Sequence, residues 1–208
     1  MRVDIIAVTQ YMGGDGLPVG LLEHAGRVCY RSAAKGEPER FLKARIREGH
    51  ESLIEHVSIT FEISGVSRAC THQLVRHRIA SYSQESQRYV DMSALELVVP
   101  PAVAASAQAM EVWDEFALQV ADAYRRLREL GIRKEDARFV LPNAAATRIV
   151  VTMNLRSLRH FFEVRCDRAA QWEIREMALE MLRQVYAVVP AAVADLYGKY
   201  CSPCPGVV

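Results

Sequence analysis

A change of period most constrains this chain. Val57, Ile59, Phe61 and Ile63 alternate with Ser58, Thr60, Glu62 and Ser64, and a period of two belongs to a strand with one buried face. Longer apolar stretches mostly recur at helical spacing. Leu21, Leu22, Ala25, Val28 and Cys29 do so, as do Trp113, Phe116, Val120, Ala123, Tyr124 and Leu127, and later Trp172, Ile174, Met177, Ala178, Met181 and Val185. A few strands among many helices imply an α+β (or mixed α/β) single domain over residues 1–208. Its small mixed or antiparallel sheet is flanked by helices.

Local signals refine this outline. Residues 3–9 read as a short buried strand, broken by Gly13, Gly14 and Gly16. Pro38 opens a helix that runs to Glu48 and stops before Gly49. Gly65 is expected to end the alternating strand, and Ser67 to cap a helix reaching His77. Residues 79–93 read as an ordered loop. The longest helix spans 104–130 and ends at Gly131. A short helix from Glu135 stops before Pro142, Thr147 to Met153 is β-rich, and Asn154 caps a helix through Val164.

Lys and Arg number 26 against 25 Asp and Glu, for a net charge of +1. That balance excludes a polybasic protein held to nucleic acid by bulk electrostatics, though not a local cationic pocket. No apolar run reaches the roughly 18 residues of a membrane span, and the first twenty residues lack the pattern of a signal peptide. A cytoplasmic protein is the expectation. Its five cysteines read as reduced thiols. Cys201 and Cys204 have CxxC spacing but no second ligand pair, so no metal site is expected and the terminal segment reads as inert.

Chemistry concentrates between Arg76 and Tyr89, where three arginines stand among His77, three serines and two glutamines. Guanidinium forks suit phosphate oxygens, and serine hydroxyls with turn N–H groups can complete an anion cradle. A solvated helix end with a polar loop is the alternative. The spacing decides between them: Arg76-His77-Arg78, seven residues, Ser86, one residue, Arg88. This resembles the signature of the flavin-dependent thymidylate synthases. The resemblance extends to His50-Glu51-Ser52 with Glu55-His56, to Arg138–Pro142, to Asn154–Leu158 with Arg165, and to Ala170–Ile174.

The resemblance implies a methyltransferase that converts dUMP to dTMP. The one-carbon donor is 5,10-methylenetetrahydrofolate, and FAD reduced by NADPH supplies hydride, releasing tetrahydrofolate. It implies a homotetramer with active sites shared between subunits, and no nucleic-acid or membrane partner. For dUMP it points to Gln73, Leu74, Val75, Arg76, Gln84, Glu85, Ser86, Gln87, Arg88, Arg138 and Arg165. Gln84 and Glu85 are expected to act mostly through their backbone. For FAD it points to Ser52, Arg76, His77, Arg78, Gln84, Asn154, Leu155, Arg156 and His160. His160 departs from a common Asn, and Gln84 from a Glu of some relatives. His50 is a further flavin-contact candidate, and His56 reads as structural on a strand edge.

Arg165 is the residue implied to stabilise negative charge at N3 and O2 of the uracil, a task suited to a permanent guanidinium. Without the resemblance it reads as a charge at a helix C-terminus. Cys166, next to it, is the alternative nucleophile, disfavoured because sequence neighbours on a helix point apart. Ser86 has no general base at a fixed offset. No G-x-G-x-x-G turn exists, so a flavin would not be held in the Rossmann manner. A non-catalytic nucleotide-binding module and an RNA-binding protein are the rival classes. The latter is opposed by balanced charge and by the lack of RRM or KH motifs.

Overall fold

The alternating segment is a strand, and it pairs as its pattern requires. In the computed structural model, which describes residues 1–33 and 36–201, four antiparallel strands form one sheet in the order β1-β2-β4-β3. These are β1 (Arg2–Val8), β2 (Ser58–Ser67), β3 (Ser81–Gln84) and β4 (Ala146–Asn154). Ile59, Phe61 and Ile63 on β2 are fully buried, as are Ile149 and Val151 on β4. Each such side chain stabilises the fold by roughly 1.5–3 kcal/mol relative to exposure.

The helices are α1 (Pro18–Tyr30), α2 (Pro38–Arg47), α3 (Arg68–Leu74), α4 (Pro101–Ala104), α5 (Ala107–Glu129), α6 (Lys134–Ala137), α7 (Leu155–Arg165), α8 (Trp172–Val188) and α9 (Pro190–Tyr200). Turns of 3-10 helix cover Glu51–His56 and Arg138–Val140. The class is α+β.

Contacts divide the chain into two compact units. The first comprises Met1–Arg2, Ile63–Val75 and Ser83–Ile149. Part of its core is Met92, Tyr124 and Ala137, with Leu95, Leu127, Val140 and Leu141 packed against them. Within it α5 ends in a Schellman motif. Ile132 N–H donates to Leu127 C=O and Gly131 N–H to Arg128 C=O, with Gly131 at φ +82°. The second unit comprises Val3–Glu62, Arg76–Tyr82 and Val150–Val208. Its core includes Phe61, Leu22, Leu42, Phe161 and Phe162. There Gln184 of α8 brackets β1, accepting from Ile5 N–H (3.1 Å) and donating to Val3 C=O (2.7 Å).

Some expectations fail for identifiable reasons. Gly65 does not end β2: it takes φ +67° inside the strand, a conformation open to glycine, and pairing continues to Ser67. Ser67 caps α3 as expected, its hydroxyl accepting from Cys70 N–H at 3.0 Å, but the helix stops at Leu74 instead of His77. Residues 79–93 are not wholly loop, because β3 lies among them. The helix expected from Ala104 begins at Ala107, after the separate turn α4. A further helix, α9, follows the one read as last, with Val189 as the junction and Pro190 in its first turn. His56 stands on a 3-10 turn, not a strand edge. Cys204 lies outside the described residues. Among those described, no helix is long and apolar enough to cross a membrane.

Candidate active site

Helix α7 is divided lengthwise. Leu155, Leu158, Phe161 and Phe162 are buried, whereas Arg156, His160, Glu163 and Val164 are exposed. The buried set follows the i, i+3, i+6, i+7 spacing of one apolar face. The second set recurs at i, i+4, i+7, i+8 and lines a cleft of about 870 Å³ in the second unit. Asn154 starts this helix, its side-chain oxygen accepting from Ser157 N–H at 2.9 Å. The cap uses the acceptor, so the amide NH2 is the part that can serve a ligand.

The opposite wall is the segment after α3. Arg76, His77, Arg78 and Ile79 line the same cleft, as do Glu51, Glu55, Asn154, Ser157 and Arg165. Arg165 Nε donates to His77 Nε2 at 3.0 Å. The His77 ring meets Phe161 edge-on at 4.9 Å, and its backbone carbonyl accepts from Tyr82 O–H at 2.8 Å. Burial first, then the charges of Arg165 and His160, pull its pKa down to about 4. His77 is therefore a neutral acceptor near pH 7.

Acidic residues organise the cleft's rim. Arg156 pairs with Glu55 and approaches Glu51 at 3.8 Å. Glu51 also meets Arg159 at 3.3 Å. Arg159 is only 5% exposed. It donates to both carboxylate oxygens of Asp195 at 2.7 Å and to Ala192 C=O at 2.8 Å. The 3-10 turn, α7 and α9 are thus tied by one charged chain.

In the first unit, residues 86–90 form a tight turn. Ser86 C=O accepts from Tyr89 and Val90 N–H at 3.0 Å, and Ser86 Oγ accepts from Arg88 N–H at 3.3 Å. Arg88 stands 3.5 Å from Glu135. Gln84 donates to Thr71 Oγ1 at 2.9 Å and more weakly to Thr147 Oγ1 at 3.4 Å. Glu85 spends its N–H on Arg148 C=O, and its own C=O accepts from Arg68. Its N–H is thus spent within the fold, while its carboxylate and the second lone pair of its C=O can still meet a ligand. Burial, then the like charge of Arg138, lower the Arg68 pKa. Two guanidiniums close enough to repel favour an anion beside them.

Of the residues expected for a flavin, Arg76, His77, Arg78, Asn154, Arg156 and His160 share one cleft, and Arg165 joins them. Ser52 is exposed on the 3-10 turn and does not line it, nor does Gln84. Leu155 and Leu74 are fully buried, so their side chains serve the core. His50 is exposed, 3.9 Å from Glu48. Cys166 is 1% exposed, and burial chiefly pushes its thiol up to about 12, far from an activated thiolate. Sequence reasoning missed Arg68, Glu163 and the Arg159–Asp195 pair. Only Glu51 and Glu55 carried a signal, as members of the quoted motif.

With this geometry in place, comparison with known proteins is decisive. The family described as "thymidylate synthase complementing protein" matches residues 9–191. The chain belongs to the flavin-dependent thymidylate synthase family. A relative with that name from Geobacter sulfurreducens is 47% identical over 91% of each chain. One from Nitratidesulfovibrio vulgaris is 48% identical over 95% of this chain and 87% of its own. One from Mycobacterium tuberculosis is 41% identical over 94% and 89%.

The cleft's donor set fits the flavin of this family. Arg76, Arg78 and Arg156 are cations that suit a diphosphate, while Asn154 and His160 carry hydrogen-bonding groups that suit a ring edge. A second cavity of about 510 Å³, lined by Tyr11, Glu23, His24 and Arg27 among others, contains none of the expected residues.

Proposed function

We propose that this chain is a working thymidylate synthase that reductively methylates dUMP to dTMP. The proposal takes 5,10-methylenetetrahydrofolate as carbon donor, NADPH as reductant and FAD as cofactor. The observation that carries it is the gathering of Arg76, His77, Arg78, Asn154, Arg156, His160 and Arg165 at one cleft of a chain matched to the family over residues 9–191. We assign those residues to the flavin, except Arg165, which we assign to the pyrimidine. A bound flavin supplies the hydride that completes the new methyl group.

Toward the nucleotide the chain's own residues have two tasks. The Ser86–Arg88 turn, with Arg138 and the repelled Arg68, holds the nucleotide phosphate. The Arg165 guanidinium stabilises negative charge at N3 and O2 as C5 becomes nucleophilic, so it binds the reacting form better than the resting base. Covalent addition by a cysteine is replaced by this electrostatic activation, consistent with the buried, high-pKa thiol of Cys166. The enzyme works as a cytoplasmic homotetramer, with sites shared between chains and no nucleic-acid or membrane partner.

The test combines a spectrum with product analysis. Purified protein should carry the two absorption bands of oxidised flavin and form dTMP only with dUMP, methylenetetrahydrofolate and NADPH all present. Arg165→Ala should lower dTMP formation by about a hundred- to thousandfold, the cost of one preorganised donor. Arg165→Lys should be nearly as impaired, since it loses the planar fork. Colourless protein that makes no dTMP after FAD is added would overturn the proposal.

A further inference from the structure

We propose that His77 is a positioning residue for Arg165, its imidazole fixing the guanidinium plane that meets the pyrimidine ring. This rests on the reading of Arg165 given above. The geometry supplies the argument. Arg165 closes α7, and its long side chain would lose rotamer freedom on any productive contact. The Nε–H bond to His77 at 3.0 Å fixes the last torsions before a ligand arrives. His77 is itself held, by Phe161 edge-on to its ring and by Tyr82 on its carbonyl.

The kind of partner matters. A carboxylate at this position would orient the guanidinium but cancel much of its charge. A neutral imidazole orients the guanidinium without itself cancelling the charge that meets negative charge building on the pyrimidine. Nε2 can accept only when unprotonated, which puts the ring proton on Nδ1. Of the charged and titratable groups, Arg165 and His160 from α7 act on it directly, and Glu163 from α7, Glu51 and Glu55 from the 3-10 turn, and Arg76 and Arg78 in its own segment line the same cleft.

The test is a double-mutant cycle with His77→Phe, His77→Gln and Arg165→Ala, all compared at saturating FAD. His77→Phe should slow dTMP formation roughly tenfold or more, chiefly in kcat, and much less when Arg165 is already Ala. His77→Gln keeps an acceptor near the Nε2 position and should recover most of the rate. Additive losses, or Gln no better than Phe, overturn the positioning role alone. A fully active Arg165→Ala overturns the reading of Arg165 and this role with it. A readout independent of turnover and of the His77 variants is the NMR titration of 15N-histidine-labelled protein. The His77 midpoint should lie far below 6.5 and move upward in Arg165→Ala. An unmoved midpoint refutes the contact even if the His77 variants do not fold.

Discussion

Removing the acid from the Arg159–Asp195 pair should cost more than removing the base. Arg159 is buried to 5% exposure, whereas the Asp195 side chain is 57% exposed. Asp195→Ala deletes two 2.7 Å charge-assisted bonds and leaves a buried guanidinium with Ala192 C=O and a 3.3 Å contact to Glu51. Breaking a fully buried pair costs about 3–5 kcal/mol. The exposure of Asp195 and the remaining acceptors discount that to about 2 kcal/mol.

Arg159→Met loses the same bonds and also the ones to Ala192 C=O and Glu51, but it leaves no orphaned buried charge, because both carboxylates rehydrate and the methionine fills the stem's volume. Its cost should be about 1 kcal/mol. Thermal unfolding at fixed protein and FAD concentration should place Asp195→Ala roughly 4–8 °C below the parent, with Arg159→Met between them. The Arg159 bonds hold the Asp195 carboxyl below its ordinary range. The pair's contribution is therefore present above about pH 3.8 and lost as pH falls through the lowered value, so the deficit of Asp195→Ala should shrink in strong acid. Arg159→Met proving the more damaging variant would refute the reasoning.

Other expectations concern single groups. Iodoacetamide at pH 8 should label exposed Cys29 and spare Cys166, and Cys166→Ala should keep dTMP formation; loss of methylation in that variant would restore the covalent alternative. Asn154→Ala should cost about 1 kcal/mol by uncapping α7 and should weaken FAD retention, measured as the midpoint of denaturation and the free flavin after gel filtration. Between pH 6.5 and about 4 the unfolded His77 binds a proton that the folded one refuses, so stability should fall with acid across that window. His77→Gln should flatten the slope in denaturation measured at several pH values, and an unchanged slope would assign it to other groups.

What the sequence disclosed depended on whether the signal was local. Ser67, Asn154 and Gly131 act through bonds within a few residues, and all three stand where capping chemistry puts them. The alternation at 57–64 likewise encodes a face. Gly65 misled because glycine either ends a strand or bends it, and only pairing along β2 distinguishes the two. β3 is four residues long, too short for period two to register. α9 escapes a reading that follows the apolar face only to Val185, although Pro190 stands in its first turn, where a helix start tolerates it. In the site, fixed motif offsets exposed the arginines. Arg159 carried no such mark, since its meaning lies in an Asp195 that is 36 residues away.

Gln184 imposes an order on synthesis. Its side chain satisfies β1 backbone groups that precede it by 179 and 181 residues. On a ribosome adding about 5–20 residues per second, β1 is synthesised roughly 9–36 s before this glutamine. Through that interval Val3 C=O and Ile5 N–H must be hydrated, shielded by a chaperone or borrowed by another nascent chain. The contact that completes the amino-terminal strand is therefore among the last that translation makes available, and truncation ahead of α8 should give a product prone to self-association.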